Sequence, residues 1–160
     1  PWSQLVQLNN IQLVELSTAN LWALNAQIAC RSFTVPHRDE FSETAGFEFN
    51  LASRKYLFIP DIDKWQRWEQ DIIDLVRSAD LAFLDGTFFR DGELQNRNMS
   101  EVPHPFIEET ISLFEHEAEA CRSKILFIHL NHTNPLLWDK KEKKALRKMG
   151  FRLAEEGKRY

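Results

Sequence analysis

Apolar residues recur along the chain with two different periods, and the change of period divides it. In the first part, Ile11, Leu13, Val14 and Leu16 alternate imperfectly and predict a half-buried strand over Ile11–Leu16. Ile28–Val35 predicts a second strand, closed by Pro36. Gly46–Asn50 and Lys55–Ile59 read as a hairpin whose turn lies in Ala52-Ser53-Arg54. From Trp65 onward the period lengthens. Trp65, Trp68, Ile72, Leu75, Val76 and Ala79 fall mostly at steps of three and four, the pattern of one amphipathic helix. Leu81–Leu84 and Ile125–Ile128 are short unbroken apolar runs, as expected of strands buried on both faces. Between them a polar loop runs from Gly86 to about His104. Pro105, suited to a first helical turn, then opens a helix with the stripe Ile107, Ile111, Phe114 and Ala118. Asp139–Met149 predicts a further helix with Gly150 just past its end, and a last short strand starts near Phe151.

Strands followed by alternating helices and strands define an α/β (α+β) fold, with a mixed sheet flanked by helices. With no repeat, low-complexity tract or linker, residues 1–160 read as one domain. Composition is globular, with 43% hydrophobic and 28% charged residues. A net charge of −4 argues against nucleic acid or an anionic membrane surface as partner. The basic run from Lys140 to Lys148 is a solvated helix face near a helix C-terminus. Two cysteines, Cys30 and Cys121, supply neither a disulfide framework nor a four-cysteine zinc site. No run of about 20 apolar residues suggests a membrane span. The chain opens at Pro1-Trp2 without a methionine, so the natural N-terminus is expected to lie upstream.

The chemistry-bearing residues gather where apolar runs end. Asp85 closes the Leu81–Leu84 run, ahead of Gly86-Thr87. Ligands of open α/β sheets collect at such strand ends, although Asp-Gly is also an ordinary turn. His129 closes the second run, followed by Asn131, His132 and Asn134-Pro135. A lone histidine there is usually a satisfied polar group, but two buried strands both ending in metal-competent side chains suit zinc, iron or manganese. Val35-Pro36-His37-Arg38-Asp39-Glu40 and Ile59-Pro60-Asp61-Ile62-Asp63 repeat the arrangement. Asp63 could instead cap the helix that starts nearby. Prolines on both sides fix His104 in a rigid turn or a site wall. His116 sits among glutamates and reads as solvated.

Taken in order, Val-Pro-His-Arg-Asp-Glu leading to Gly46-Phe47, Ile-Pro-Asp-Ile-Asp, Leu-Asp-Gly-Thr and His-Leu-Asn-His-Thr-Asn-Pro resemble the metallo-β-lactamase-fold hydrolases. Within them the match is nearest to the pyrroloquinoline quinone biosynthesis protein B group. The resemblance runs from Pro1 to about Lys158 and implies the C-terminal half of a four-layer αββα sandwich with a mono- or dinuclear metal site at the sheet edge. It implies that Asp85 is the bridging metal ligand and His129 the final histidine ligand. It also sets His37 near the site and ranks His132 below His129 as a ligand; in an enzyme, His37 or His104 would orient substrate or shuttle a proton, with Asp61, Asn131 and His132 as candidate supporting neighbours. The implied cofactor is a divalent metal, zinc first, with iron or manganese as alternatives. A small-molecule substrate and a cytoplasmic location follow from the same likeness.

One departure is large. The family's His-x-His-x-Asp-His motif is absent, and the five histidines include no His-x-His pair. Two protein ligands are fewer than the three of a catalytic zinc site, so weak metal affinity and an inactive fragment are expected for this chain by itself. Three readings follow: a metal-dependent hydrolase when complete, a non-catalytic binding or carrier protein that retains the fold, or a half-domain that pairs with a partner chain, a homodimer among the options. A second expectation for the fragment is an exposed apolar sheet face where the missing half would pack.

Overall fold

The computed structural model describes residues 2–15, 20–40, 42–95 and 97–160. A short helix α1 (Trp2–Gln7) precedes the strands β1 (Trp22–Ala23), β2 (Ile28–Val35), β3 (Thr44–Leu51) and β4 (Arg54–Ile59). Helix α2 (Ile72–Ser78) leads to β5 (Leu81–Asp85). Helices α3 (Ile107–Leu113) and α4 (Glu119–Arg122) lead to β6 (Ile125–Ile128), and α5 (Lys140–Lys148) to β7 (Arg152–Leu153). The strands form one seven-stranded sheet in chain order. Pairing is antiparallel from β1 to β4 and parallel from β4 to β7.

That order has a consequence for the faces. Parallel strands joined through a helix make right-handed crossovers. Three such crossovers advancing in one direction deliver their helices to one side of the sheet. The core shows this directly. Val76 and Ile72 of α2, Ile107 of α3, Cys121 of α4 and Leu146 of α5 pack with Leu57, Ile59, Ala82, Leu84, Ile125 and Phe127. Side chains alternate along a strand, so Phe47, Phe49, Tyr56, Phe58 and Phe83 point to the other side. None of these five aromatics belongs to a core cluster of the described residues. At one end Tyr160 meets Phe83, with ring centroids 6.0 Å apart. The expected exposed apolar face is therefore met only in part: the five rings are half-buried, and Leu126, beside Phe83 on the same side, has no exposure.

The β2 strand and the β3–β4 hairpin form with the expected bounds to within two residues, and Ala52 takes a left-handed φ of 53° in the turn. Helix α5 also forms as read: Asp139 accepts a hydrogen bond from the Lys141 amide, and Gly150 follows at φ 90°. Three expectations fail. Ile11–Glu15 is not a strand, and Leu13 and Val14 are more than 60% exposed; Leu16 lies outside the described residues. The helix read over Trp65–Ala79 is broken into a 3₁₀ turn, Trp65–Arg67, and α2. Trp68 is drawn out of it in an extended conformation, its indole donating to the Thr34 carbonyl and stacking on Phe33. Asp71 then starts α2 afresh by capping the Ile73 amide. The helix read from Pro105 ends at Leu113, so Phe114 is buried but Ala118 lies exposed beyond it.

Candidate metal centre

Strands β2, β4, β5 and β6 run in the same direction, so their C-terminal ends share one edge of the sheet. His37 follows β2, Asp61 follows β4, Asp85 ends β5 and His129 follows β6. His104 arrives from the long loop after β5. One ligand-type atom from each of Asp61, Asp85, His104 and His129 lies within 4.8 Å of the others. Residues separated by 68 positions in the chain thus converge because parallel strands stack their ends.

Local packing explains how each side chain is held. The loop bearing His104 has its own apolar cluster of Phe88, Met99, Val102 and Phe106, anchored by a bridge between Phe88 and Phe106. His104 lies edge-on to Phe88 and to His37, at 5.8 and 5.3 Å between ring centroids. The Asp61 loop is tied to the His37 loop by the Asp63 amide, which donates to the Pro36 carbonyl at 2.7 Å. Asp63 itself bonds the Lys64 amide and pairs with Arg67, serving the 3₁₀ turn rather than the site. Fully buried Asn134 ties the His129 loop to the Asp85 loop, donating to the carbonyls of Gly86 and Thr87 and accepting from Leu136. His129 adopts a left-handed φ of 60°, which costs a non-glycine residue about 1–2 kcal/mol. Such strain persists where surrounding structure over-determines it, often at functional sites.

The polar contacts are dense around Asp85. Its side chain has no solvent exposure. Oδ1 accepts from the Thr87 amide at 2.8 Å and the Thr87 hydroxyl at 2.6 Å. Oδ2 accepts from the Ile62 amide at 3.2 Å and contacts His104 Nδ1 at 2.8 Å. The Thr87 hydroxyl also lies 3.0 Å from His129 Nδ1. Asp61 differs. Its Oδ1 sits 2.5 Å from His37 Nε2 and 3.4 Å from His104 Nδ1, yet it is buried without a directed hydrogen bond. His37 Nδ1 is likewise buried and unpartnered.

The structure therefore brings together His37, Asp61, Asp85, His104 and His129, and leaves the remaining candidates outside. His132 is exposed and turned to Asn131 Oδ1 at 3.1 Å. Asn131 serves the loop, its amide on the Thr87 carbonyl and its side chain on Thr133. His116 is solvated beside Glu115. Two residues carried no sequence signal as site members, Thr87 and Asn134. Both stood in quoted motifs, but Gly-Thr after an aspartate and Asn before proline read equally well as turn chemistry.

A family model described as a β-lactamase superfamily domain matches residues 2–130. The chain belongs to that family. Among curated proteins it resembles the coenzyme PQQ synthesis protein B of Gluconobacter oxydans, 29% identical over 121 residues, covering 72% of this chain and 39% of that protein. The same-named protein of Cupriavidus taiwanensis is 36% identical over 89 residues, covering 51% of this chain and 29% of that protein. Among solved structures, Zn(2+)-bound PqqB from Methylobacterium extorquens superposes with a TM-score of 0.71 at 19% identity, over 89% of this chain and 53% of that one. The metallo-β-lactamase-fold protein YhfI from Bacillus subtilis gives 0.58 at 14% identity, over 92% of this chain and 54% of that one. The chain thus spans about half the length of these structures and less of the curated relatives. The mixed sheet with helices is a metallo-β-lactamase-type α/β architecture.

Proposed function

We propose that this chain carries the metal-binding edge of a PqqB-like metallo-hydrolase, acting on a small-molecule substrate when the sandwich is complete. The observation that carries the reading is Asp61 Oδ1: a buried carboxylate oxygen beside two imidazoles, without a directed hydrogen bond. The oxygen is in close contact with both rings but no donor is aimed at it, and a cation between these groups would engage its lone pairs. The donor set of carboxylate and imidazole suits zinc, with iron or manganese as alternatives. The relatives named for coenzyme PQQ synthesis and the zinc-bound neighbour support the same reading.

The centre draws on more residues than the two ligands read from the sequence. His104 stands among the metal-competent groups rather than apart from them, and Asp61 is in the cluster itself. With Asp61, Asp85, His104 and His129, the chain offers at least the three protein ligands that catalytic zinc sites use, so metal binding by this chain is expected. A bound divalent ion supplies Lewis acidity and an activated water at neutral pH. His37 is the neighbouring acid–base group: its Nε2 faces Asp61 and can hold or release a proton there. Free, buried Cys30 and Cys121 accord with a reducing, cytoplasmic setting. No helix among the described residues is long and apolar enough to cross a membrane.

The test is zinc, iron(II) and manganese titration of the metal-stripped chain by calorimetry, followed by ester and phosphodiester turnover with the loaded protein. One zinc per chain is expected for the wild type, and a loss of at least 10-fold in affinity for Asp61→Asn and His129→Ala. Equal zinc uptake by all three proteins would overturn the assignment.

A further inference from the structure

Asp61 and His104 reach the cluster on two separate loops, one after β4 and the other between β5 and α3. Both loops meet again at the start of α3. Glu109 stands in the first turn of that helix, and one of its carboxylate oxygens, Oε2, accepts from two sides: from the Phe106 amide at 2.7 Å and from Lys64 Nζ at 2.7 Å. Phe106 follows His104 by two residues, and Lys64 follows Asp61 by three. The Lys64 ammonium also lies 3.8 Å from the centre of the Phe106 ring, and its side chain is only 17% exposed. Beside this tie the Trp65 indole donates to the fully buried Thr110 hydroxyl at 2.9 Å, which anchors the following 3₁₀ turn to the body of α3.

We propose that Lys64 and Glu109 are positioning residues, a clamp whose ion pair fixes the Asp61 loop against the His104 loop and so sets the spacing of two metal-competent groups. The inference rests on the metal reading of this cluster and deepens it. Neither residue belongs to the cluster itself, so the clamp acts through the loops. Its working part is the cation. Through the Phe106 amide, Glu109 only caps the start of α3. The ammonium extends the same oxygen to the other loop, and the aromatic ring beneath it belongs to the residue where the His104 loop enters the helix. An exposed ion pair contributes little to structure. Lys64 is instead shielded between a carboxylate and an aromatic face, where both attractions are weakly screened. The other ties of the Asp61 loop run elsewhere: the Asp63 amide to the Pro36 carbonyl after β2, and the Ile62 amide to Asp85 on β5. Loss of the ammonium therefore leaves Asp61 attached to the sheet and lets it shift relative to His104. The Arg77–Glu117 pair offers a contrast. It is equally short, at 2.6 Å, but joins α2 to the segment between α3 and α4 and reaches neither loop.

The clamp can be read without any metal, by amide hydrogen exchange of the metal-free chain. The Asp63 amide, bonded to Pro36, reports on one loop, and the His104 amide, bonded to the Val102 carbonyl, reports on the other. Lys64→Met keeps the aliphatic stem over Phe106 and removes the charge; it is expected to speed exchange at both amides together. Glu109→Gln, which still offers Phe106 an acceptor, is expected to do the same, and it carries the test if Lys64→Met does not fold. Arg77→Met is expected to speed neither. In the zinc titration each clamp variant should bind about 10-fold more weakly, the low end for groups that support ligands. The double variant should bind no more weakly than either single one, because cutting both ends of one tie is not additive. Lys64→Arg, which keeps the charge, and Arg77→Met should stay near wild type. Exchange unchanged at either amide overturns the proposal. So do additive losses in the double variant, wild-type zinc affinity in both single variants, or an equal loss in Arg77→Met. If exchange behaves as expected but the wild-type chain takes up no zinc, the loop clamp stands and the metal reading falls.

Discussion

Among single residues, His129 states most sharply how function competes with stability. Its position was legible as the polar residue closing an apolar strand, but its left-handed backbone was not, because a β-strand pattern predicts extended φ up to its last residue. The strain belongs to the turn rather than the ring, so truncation does not relieve it. His129→Ala keeps a Cβ in the left-handed region, whereas His129→Gly removes it. We expect the glycine variant to be more stable than the alanine variant by about 1 kcal/mol in denaturant midpoints, after allowing for the extra entropy glycine loses on folding. Both should lose zinc equally. Equal stability of the two variants would mean that the turn is relaxed. Asp61 was placed at the site by sequence but not at its centre. Nothing in Ile-Pro-Asp-Ile-Asp tells which aspartate turns inward, since that depends on the Asp63 amide reaching Pro36 across two loops.

At the level of elements, the strands were more legible than the helices. Continuous apolar runs forced β5 and β6 into the sheet centre. The Trp65–Ala79 stripe, by contrast, kept its period through a break, because Trp65 and α2 bury against the same core from two separate segments. Periodicity reports which side is buried, not whether the backbone is continuous. The junction between β5 and its loop shows the same limit. Gly86 reads as a turn glycine, but its need is steric: an added Cβ would lie 2.9 Å from Phe127 Cβ and 3.0 Å from the Ile128 carbonyl oxygen. Backbone and a packed β6 cannot yield easily. Gly86→Ala should therefore cost about 1–3 kcal/mol and displace Asp85 and Thr87 together. A melting curve and the zinc affinity would check both parts.

The antiparallel end of the sheet holds a separate electrostatic element. Burial pushes the Glu48 carboxyl up, but the Asn50 hydrogen bond and the charges of Arg31 and Lys55 outweigh it and hold the group below its ordinary value. A depressed carboxyl contributes stability above its unfolded pKa, about 4.3, and loses it as pH falls through the lower folded value. In that window the unfolded chain binds more protons. Glu48→Gln should therefore flatten the acid limb of stability below pH ~4.5 and leave the dependence near neutrality unchanged. An acid limb as steep as that of the wild type would assign the acid sensitivity to other carboxylates.

Across the whole molecule, the topology divides the sheet into two unlike faces, and this was legible only through resemblance, since the sequence pattern alone does not count layers. Crossovers of one hand along an unreversed strand order cover one face with helices and leave the other to Phe47, Phe49, Tyr56, Phe58 and Phe83. The matched solved structures are about twice as long as this chain, and these rings form the side that no helix core of the described residues covers. The two faces should answer mutation differently. Phe127, fully buried under the helices, should cost about 3–5 kcal/mol as Phe127→Ala, a large share of the 5–15 kcal/mol that holds a domain together. Phe58, half-buried on the open face, should cost within about 1 kcal/mol as Phe58→Ala. Association should reverse that ranking. A contiguous open aromatic face binds apolar dyes and other copies of itself. The wild-type chain should therefore bind anilinonaphthalene sulfonate while folded and gain mass with concentration in light scattering, and Phe58→Ala with Phe47→Ala should reduce both. A folded wild-type chain that binds no dye and stays monomeric at high concentration would mean that this face is already covered.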